Sequence, residues 1–217
     1  MRKTIFADRE KYHLFNRGVD KRKIFLDQSD LERFFKSMRM FNSVNPIGSL
    51  YEQGFSKKEK EQKEPLIKFI AFCLLPNHFH FIVEQLVEGG ISEYMKRLLG
   101  GYTWYFNNRY RRAGALFQGA FKAVHIESNE QLLHVSAYVN LNDKQTSLGD
   151  RTAKSAKLLV KSSWKEYLNQ DHNNQSLCLG KDIIIEQFKN SSEYKDFALA
   201  SLKDIRLNKE KYKKLEN

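Results

Sequence analysis

The chain has 217 residues, 41% hydrophobic and 13% aromatic, which is enough for one good-sized core and argues against disorder. Thirty-seven Lys and Arg against 26 Asp and Glu leave a net charge of +11, which favours a polyanionic partner, nucleic acid before membrane. No apolar run approaches the roughly 18 residues of a membrane span, MRKTIFADREKYH is no signal peptide, and Cys73 and Cys178 offer neither a disulfide framework nor CxxC spacing, so a cytoplasmic, nucleoid-associated setting is expected.

In chain order, Tyr12–Asn16 is a β-prone run closed by an Arg17-Gly18 turn. Ser29 or Asp30 is the expected cap of a helix whose apolar residues fall at Leu31, Phe34, Phe35, Met38, Phe41 and Val44. Residues of about 45–64, with their SKKEKEQKE run, read as a charged surface insertion. Pro65–Leu75 is a buried strand. Pro76-Asn77 turns it back into an alternating strand with His78 and His80 on one face and Phe79, Phe81 and Val83 on the other.

Ser92 is expected to open a long helix running through Phe106. Gly100-Gly101 inside it costs about 2 kcal/mol of helix propensity and marks a kink or a close backbone approach. Arg109, Arg111 and Arg112 follow, then a Gly114 turn, a strand over Leu116–Ile126 and a helix from Ser128 or Asn129 through Asn142. The order β-α-β-β-α-β plus a helix predicts an α+β, ferredoxin-like antiparallel sheet. Two helices cover one face, and the last helix is free to lie across the open face that carries His78 and His80. Two units are expected: a catalytic domain over 1–143 and a basic, mainly helical C-terminal appendage over 144–217, anchored weakly by Trp164, Tyr167 and Phe188.

Two imidazoles on a strand supply half of a metal site. On the last core helix His134, Tyr138 and Asn142 recur every four residues and form one polar stripe. A metal facing that stripe can hold and polarise a phosphate for attack by a tyrosine, which is otherwise a poor nucleophile with a pKa near 10. Asn142 can add a side-chain oxygen to the coordination.

Several stretches together resemble the HUH-type single-strand endonucleases, in particular the REP-associated tyrosine transposases. They are YHLFNRG, FIAFCLLPNHFHFIVE, YFNNRYRRAGALFQGAFKA and AYVNLN, with SSWKEYL at Ser162–Leu168 a weaker one. In order they cover roughly residues 11–168. The resemblance implies that His78, His80 and Asn142 bind a divalent metal and that Tyr138 attacks a phosphodiester of single-stranded or hairpin DNA. The products would be a 5′-phosphotyrosine link and a free 3′-hydroxyl, with no nucleotide cofactor. The chain departs from the family pattern at Asp143, where proline is usual, and at Ala120, where a basic residue is usual.

Magnesium prefers all-oxygen ligation and two imidazoles suit manganese or softer ions better, so a weak, exchangeable Mg2+ or Mn2+ site is expected rather than zinc, for which no closed tetrahedral set is evident. Arg17, Arg109, Arg111, Arg112 and Lys122 are the expected DNA contacts, with Tyr105, Phe106, Tyr110 and Phe121 as neighbouring rings for stacking. The protein would act as a monomer or homodimer, without a membrane. Two other classes fit the same residues: a non-catalytic single-strand binding module on a ferredoxin-like sheet, and a water-using metal hydrolase in which Tyr138 is structural.

Overall fold

The computed structural model describes residues 4–45, 64–143, 159–170 and 176–207. The insertion expected at about 45–64 and parts of the C-terminal segment therefore fall largely outside the described residues.

Among the described residues, five strands form one antiparallel sheet: β1 (Lys11–Arg17), β2 (Ile67–Leu75), β3 (His78–Gln85), β4 (Lys122–His125) and β5 (Lys161–Ser162). Their spatial order is β4-β1-β3-β2-β5. The first four strands thus follow the ferredoxin-like arrangement that the element count predicts, and β5 extends the edge beside β2. The expected strand over Leu116–Ile126 is shorter. Only Lys122–His125 joins the ladder, and Phe117 makes an isolated bridge to Gly18 because Gly119, at φ 66°, turns the chain between them.

One face is packed by α1 (Gln28–Met40) and α2 (Gly90–Arg109). Alternation along β3 sends Phe79, Phe81 and Val83 into this core, where they meet Phe34, Tyr94 and Tyr102. Two helix starts differ from expectation. Asp27 caps α1, its carboxylate accepting from the Asp30 N–H, and Gly89 caps α2 in place of Ser92. Helix α1 also stops before Val44. The glycine pair does not interrupt α2; Gly101 is a close approach, since a Cβ there would come within 3.0 Å of the Phe41 ring.

The opposite face is not open. It presents Ala71, Cys73, Leu75 and Ile82, and this apolar surface is covered by α3 (Asn129–Asn140) and by the C-terminal elements. Those elements are two short helices, α4 (Trp164–Tyr167) and α5 (Asp182–Ile185), and the longer α6 (Ser191–Leu207). The helical C-terminal segment expected from sequence is present, and its anchors are stronger than the spacing suggests. Tyr167 and Tyr194 are fully buried, and the Tyr167 hydroxyl donates to the carbonyl of Ile70 at 2.9 Å, at the bulge of β2. A buried polar chain ties these layers together. Ser163 Oγ donates to Asn140 Oδ1 at 2.6 Å, and Asn140 Nδ2 donates to the Tyr194 hydroxyl at 2.9 Å. Buried polar groups are costly unless they are paired, so this chain fixes where α3 lies on the sheet.

Candidate active site

Strand register brings the first two functional side chains together. Arg17 and Leu75 flank His78, and Phe15 and Cys73 flank His80, so both imidazoles leave the same face of β3. Their rings stand edge to face with centroids 5.2 Å apart. Tyr138 descends from α3 onto them, its ring edge-on to that of His80 at 5.4 Å. Asn142, just past the α3 C-cap Leu141, lies beside the His78 side chain and favours its protonated form. The third member of the expected stripe does not take part. His134 turns toward the C-terminal layer, its ring 5.5 Å from that of Phe197.

The site is closed: Tyr138 is 2%, His80 3% and Asn142 3% exposed. Burial pushes the His78 pKa down to about 4, with help from the positive charge of Arg17 and against Asn142, whose side-chain oxygen accepts from the imidazolium. His80 is pushed well below its usual value by burial and then by His13, His78 and Arg17. Both rings are therefore neutral at physiological pH, the form in which imidazole ligates a metal.

Sequence reasoning passed over His13. It is fully buried on β1, and its Nε2 lies 3.0 Å from His80 Nδ1. Its ring stacks on those of Phe15 and His80, and burial lowers its pKa to about 3. The signal was present in YHLFN. In a strand, His13 and Phe15 share a face, and pairing β1 beside β3 puts that face next to the histidines.

The donor set fits a divalent ion of mixed preference. His78 Nδ1 is engaged by Asn77 Oδ1 at 2.6 Å and His80 Nδ1 by His13, so the Nε2 atoms remain as the candidate donors. Among the described residues no three His, Cys, Asp or Glu side chains group as a metal site, and the Asn142 amide is a further oxygen beside the two imidazoles that could serve as a donor. Two nitrogens and one neutral oxygen make an open set rather than a closed tetrahedral one.

The expected DNA contacts divide. Arg17 and Lys122 flank the site, and Lys122 Nζ lies 6.0 Å from the ring centre of Phe15. Arg111 is exposed; Arg112 is bonded to Asn107 Oδ1 and the Ala115 carbonyl. Arg109 is clamped, with one nitrogen 2.6 Å from Asp27 Oδ2 and another 2.8 Å from Asp30 Oδ1. The rings expected to stack on bases are also engaged. Phe106 and Phe121 are buried, and the Tyr105 and Tyr110 hydroxyls donate to Asp30.

The family model described as Transposase IS200 like matches residues 8–142, which span every element from β1 to the Asn142 turn. The chain belongs to that family. It is thus placed among enzymes that nick and join DNA. Among solved structures, a REP-associated tyrosine transposase bound to a REP hairpin is 12% identical. That match covers 84% of this chain and 92% of the other, with a TM-score of 0.49. A structure described as a transposase from Deinococcus radiodurans R1 is 13% identical over 64% of this chain and 95% of the other, with a TM-score of 0.37. No curated protein matches the chain. Among the described residues of this family member, no helix is long and apolar enough to cross a membrane.

Proposed function

We propose that this chain is a metal-dependent single-stranded DNA endonuclease and strand transferase of the REP-associated kind, acting on hairpin or palindromic DNA through Tyr138. One observation carries the reading: Tyr138 and Asn142, from the end of α3, converge on the His80 and His78 of β3. Family membership supplies the reaction class.

The proposed ligands are His78, His80 and Asn142, holding Mg2+ or Mn2+. When bound, such an ion neutralises charge on the scissile phosphate. The Tyr138 oxygen attacks phosphorus, forming a phosphotyrosine bond to the 5′ end and breaking the bond to the 3′ oxygen. The phenolic proton is balanced by protonation of that leaving oxygen. Return attack by the 3′-hydroxyl reverses both bonds, so joining requires no nucleotide. His13 orients the His80 ring through its Nδ1. Arg17, whose charge reaches both histidines, is proposed to hold the scissile phosphate, and Arg111, Arg112 and Lys122 its neighbours. Arg109 is omitted because its guanidinium already serves two carboxylates. The catalytic unit is assigned to residues 1–143, with 144–217 as a basic segment whose described part covers the second face.

In the closed state Tyr138 is buried, so DNA entry requires the end of α3 to lift from the sheet. That burial favours a second reading, a non-catalytic single-strand binding module in which Tyr138 only packs. A denaturing gel separates the two. The parent protein with Mn2+ and single-stranded DNA should leave a covalent protein–DNA band that is absent from Tyr138→Phe. Binding without any such band would establish the module.

A further inference from the structure

Trp104 takes no part in either core. It is 68% exposed in the middle of α2, and among the described residues it is the only exposed aromatic side chain. A groove of about 550 Å3 runs beside it between α2 and residues 115–119, lined by Gly100, Thr103, Asn107, Asn108, Arg112 and Phe117 among others. A glycine inside a helix costs about 1 kcal/mol relative to alanine, and packing does not require this one. A Cβ at Gly100 would meet nothing within 4 Å. Residue 100 lies one helical turn before Trp104 on the same side of α2, and the space that a side chain there would fill is open.

The groove's outer wall is shared with the site. Phe117 bridges Gly18, the Gln118 N–H donates to the Arg17 carbonyl at 2.8 Å, and Asn16 Nδ2 donates to the Gly119 carbonyl at 3.2 Å. Arg17 is the strand partner of His78. A DNA strand that rounds the end of β1 at Arg17 from the histidine face meets this wall, and Arg112 in the groove lining and the chain's net charge of +11 suit a polyanion there. We propose that the groove takes one unpaired nucleobase of that strand, stacked on Trp104 over Gly100, with Thr103 and Asn108 facing its polar edge. Aromatic stacking plus nearby cations is how single strands are held without sequence readout, and an unpaired base has the free face that a base pair inside a duplex lacks.

The proposal rests on the DNA reading above but not on cleavage, so it is tested with metal-free Tyr138→Phe protein and a mixed-sequence single-stranded 20-mer. A fluorescence titration should show quenching that disappears in Trp104→Phe, leaving only the signal of Trp164. Trp104→Ala should bind about tenfold more weakly, the worth of one stacked base. Gly100→Leu fills the groove and should weaken binding similarly while raising the melting temperature, so that loss of fold cannot explain the result. An oligonucleotide of abasic sites should bind more weakly than the 20-mer to the Tyr138→Phe protein and about equally to Trp104→Ala. Equal affinities for all three proteins, or quenching that survives Trp104→Phe, overturns the groove alone. Absence of any DNA binding overturns both readings, and binding without adduct formation in the parent overturns only the nuclease.

Discussion

Replacing His13 with phenylalanine isolates one interaction at the centre of the site. The ring volume is nearly kept, as are the stacks on Phe15 and His80, whose centroids lie 5.0 and 5.2 Å away. What disappears is the 3.0 Å bond to His80 Nδ1 in a fully buried position. An abandoned buried polar group costs about 1–3 kcal/mol, which for a chain of this size lowers the melting temperature by roughly 2–12 °C. The loss should be larger than packing alone predicts at the metal. Without its partner the His80 ring is no longer held in one tautomer and orientation, and removal of such a supporting bond typically costs 10- to 100-fold in metal affinity. Thermal melts give the first quantity, and Mn2+ titration followed by electron paramagnetic resonance gives the second. A His13→Phe protein that melts lower but binds Mn2+ as tightly as the parent would reduce His13 to packing and refute its orienting role.

Acid should unfold this protein early. Unfolding restores ordinary proton affinity to His13, His78 and His80, so below pH about 6.5 the unfolded chain binds more protons than the folded one. Stability then falls with pH down through about 4 for His78 and about 3 for His13, at up to about 1.4 kcal/mol per pH unit for each ring. Melts at pH 7 and pH 5 measure the slope, and a flat profile contradicts neutral burial of the rings. Arg109→Ala leaves the buried Asp30 carboxylate with its bonds from the Leu26 N–H and the Tyr105 and Tyr110 hydroxyls but without its guanidinium, and should cost about 1–3 kcal/mol, with little change in the salt dependence of DNA binding; the reverse pattern would make it a DNA contact. Replacing Arg111 and Arg112 together should lower the salt slope of single-strand binding by about 0.7 for each phosphate left without its cation, and an unchanged slope would assign both to solvent. Ser163→Ala breaks the bond from Ser163 to Asn140 and should destabilise by about 1–3 kcal/mol, measured by urea denaturation; no change would mean that α3 is held by its apolar face alone.

The sheet order and the pairing of His78 with His80 were legible because both follow from period-two alternation and a Pro-Asn turn. Tyr138 and Asn142 were legible as a helical stripe, though not His134's departure from it, since a four-residue spacing drifts around a helix and a local pattern does not say which layer covers it. The cover was legible in part: the last core helix was expected across the histidine face, where α3 lies, but Ala71, Cys73, Leu75 and Ile82 make that face too apolar for one helix, and the rest of its cover comes from residues beyond 160, whose polar, Lys-rich composition hides Tyr167 and Tyr194. Arg109 misled for a related reason. Its partners Asp27 and Asp30 lie about eighty residues earlier, and a cluster of arginines at a helix end reads as a basic patch until the carboxylates opposite are known.

The central claim is that Tyr138 is the atom-donating nucleophile, and one measurement addresses it most directly. The parent protein is incubated with single-stranded DNA and Mn2+, the DNA is digested, and the modified peptide is sequenced by tandem mass spectrometry. The account predicts a single nucleotide-bearing residue, Tyr138, joined through the 5′ phosphate. A link on Tyr102, Tyr105 or Tyr110, or DNA cut with no protein attached, would contradict it.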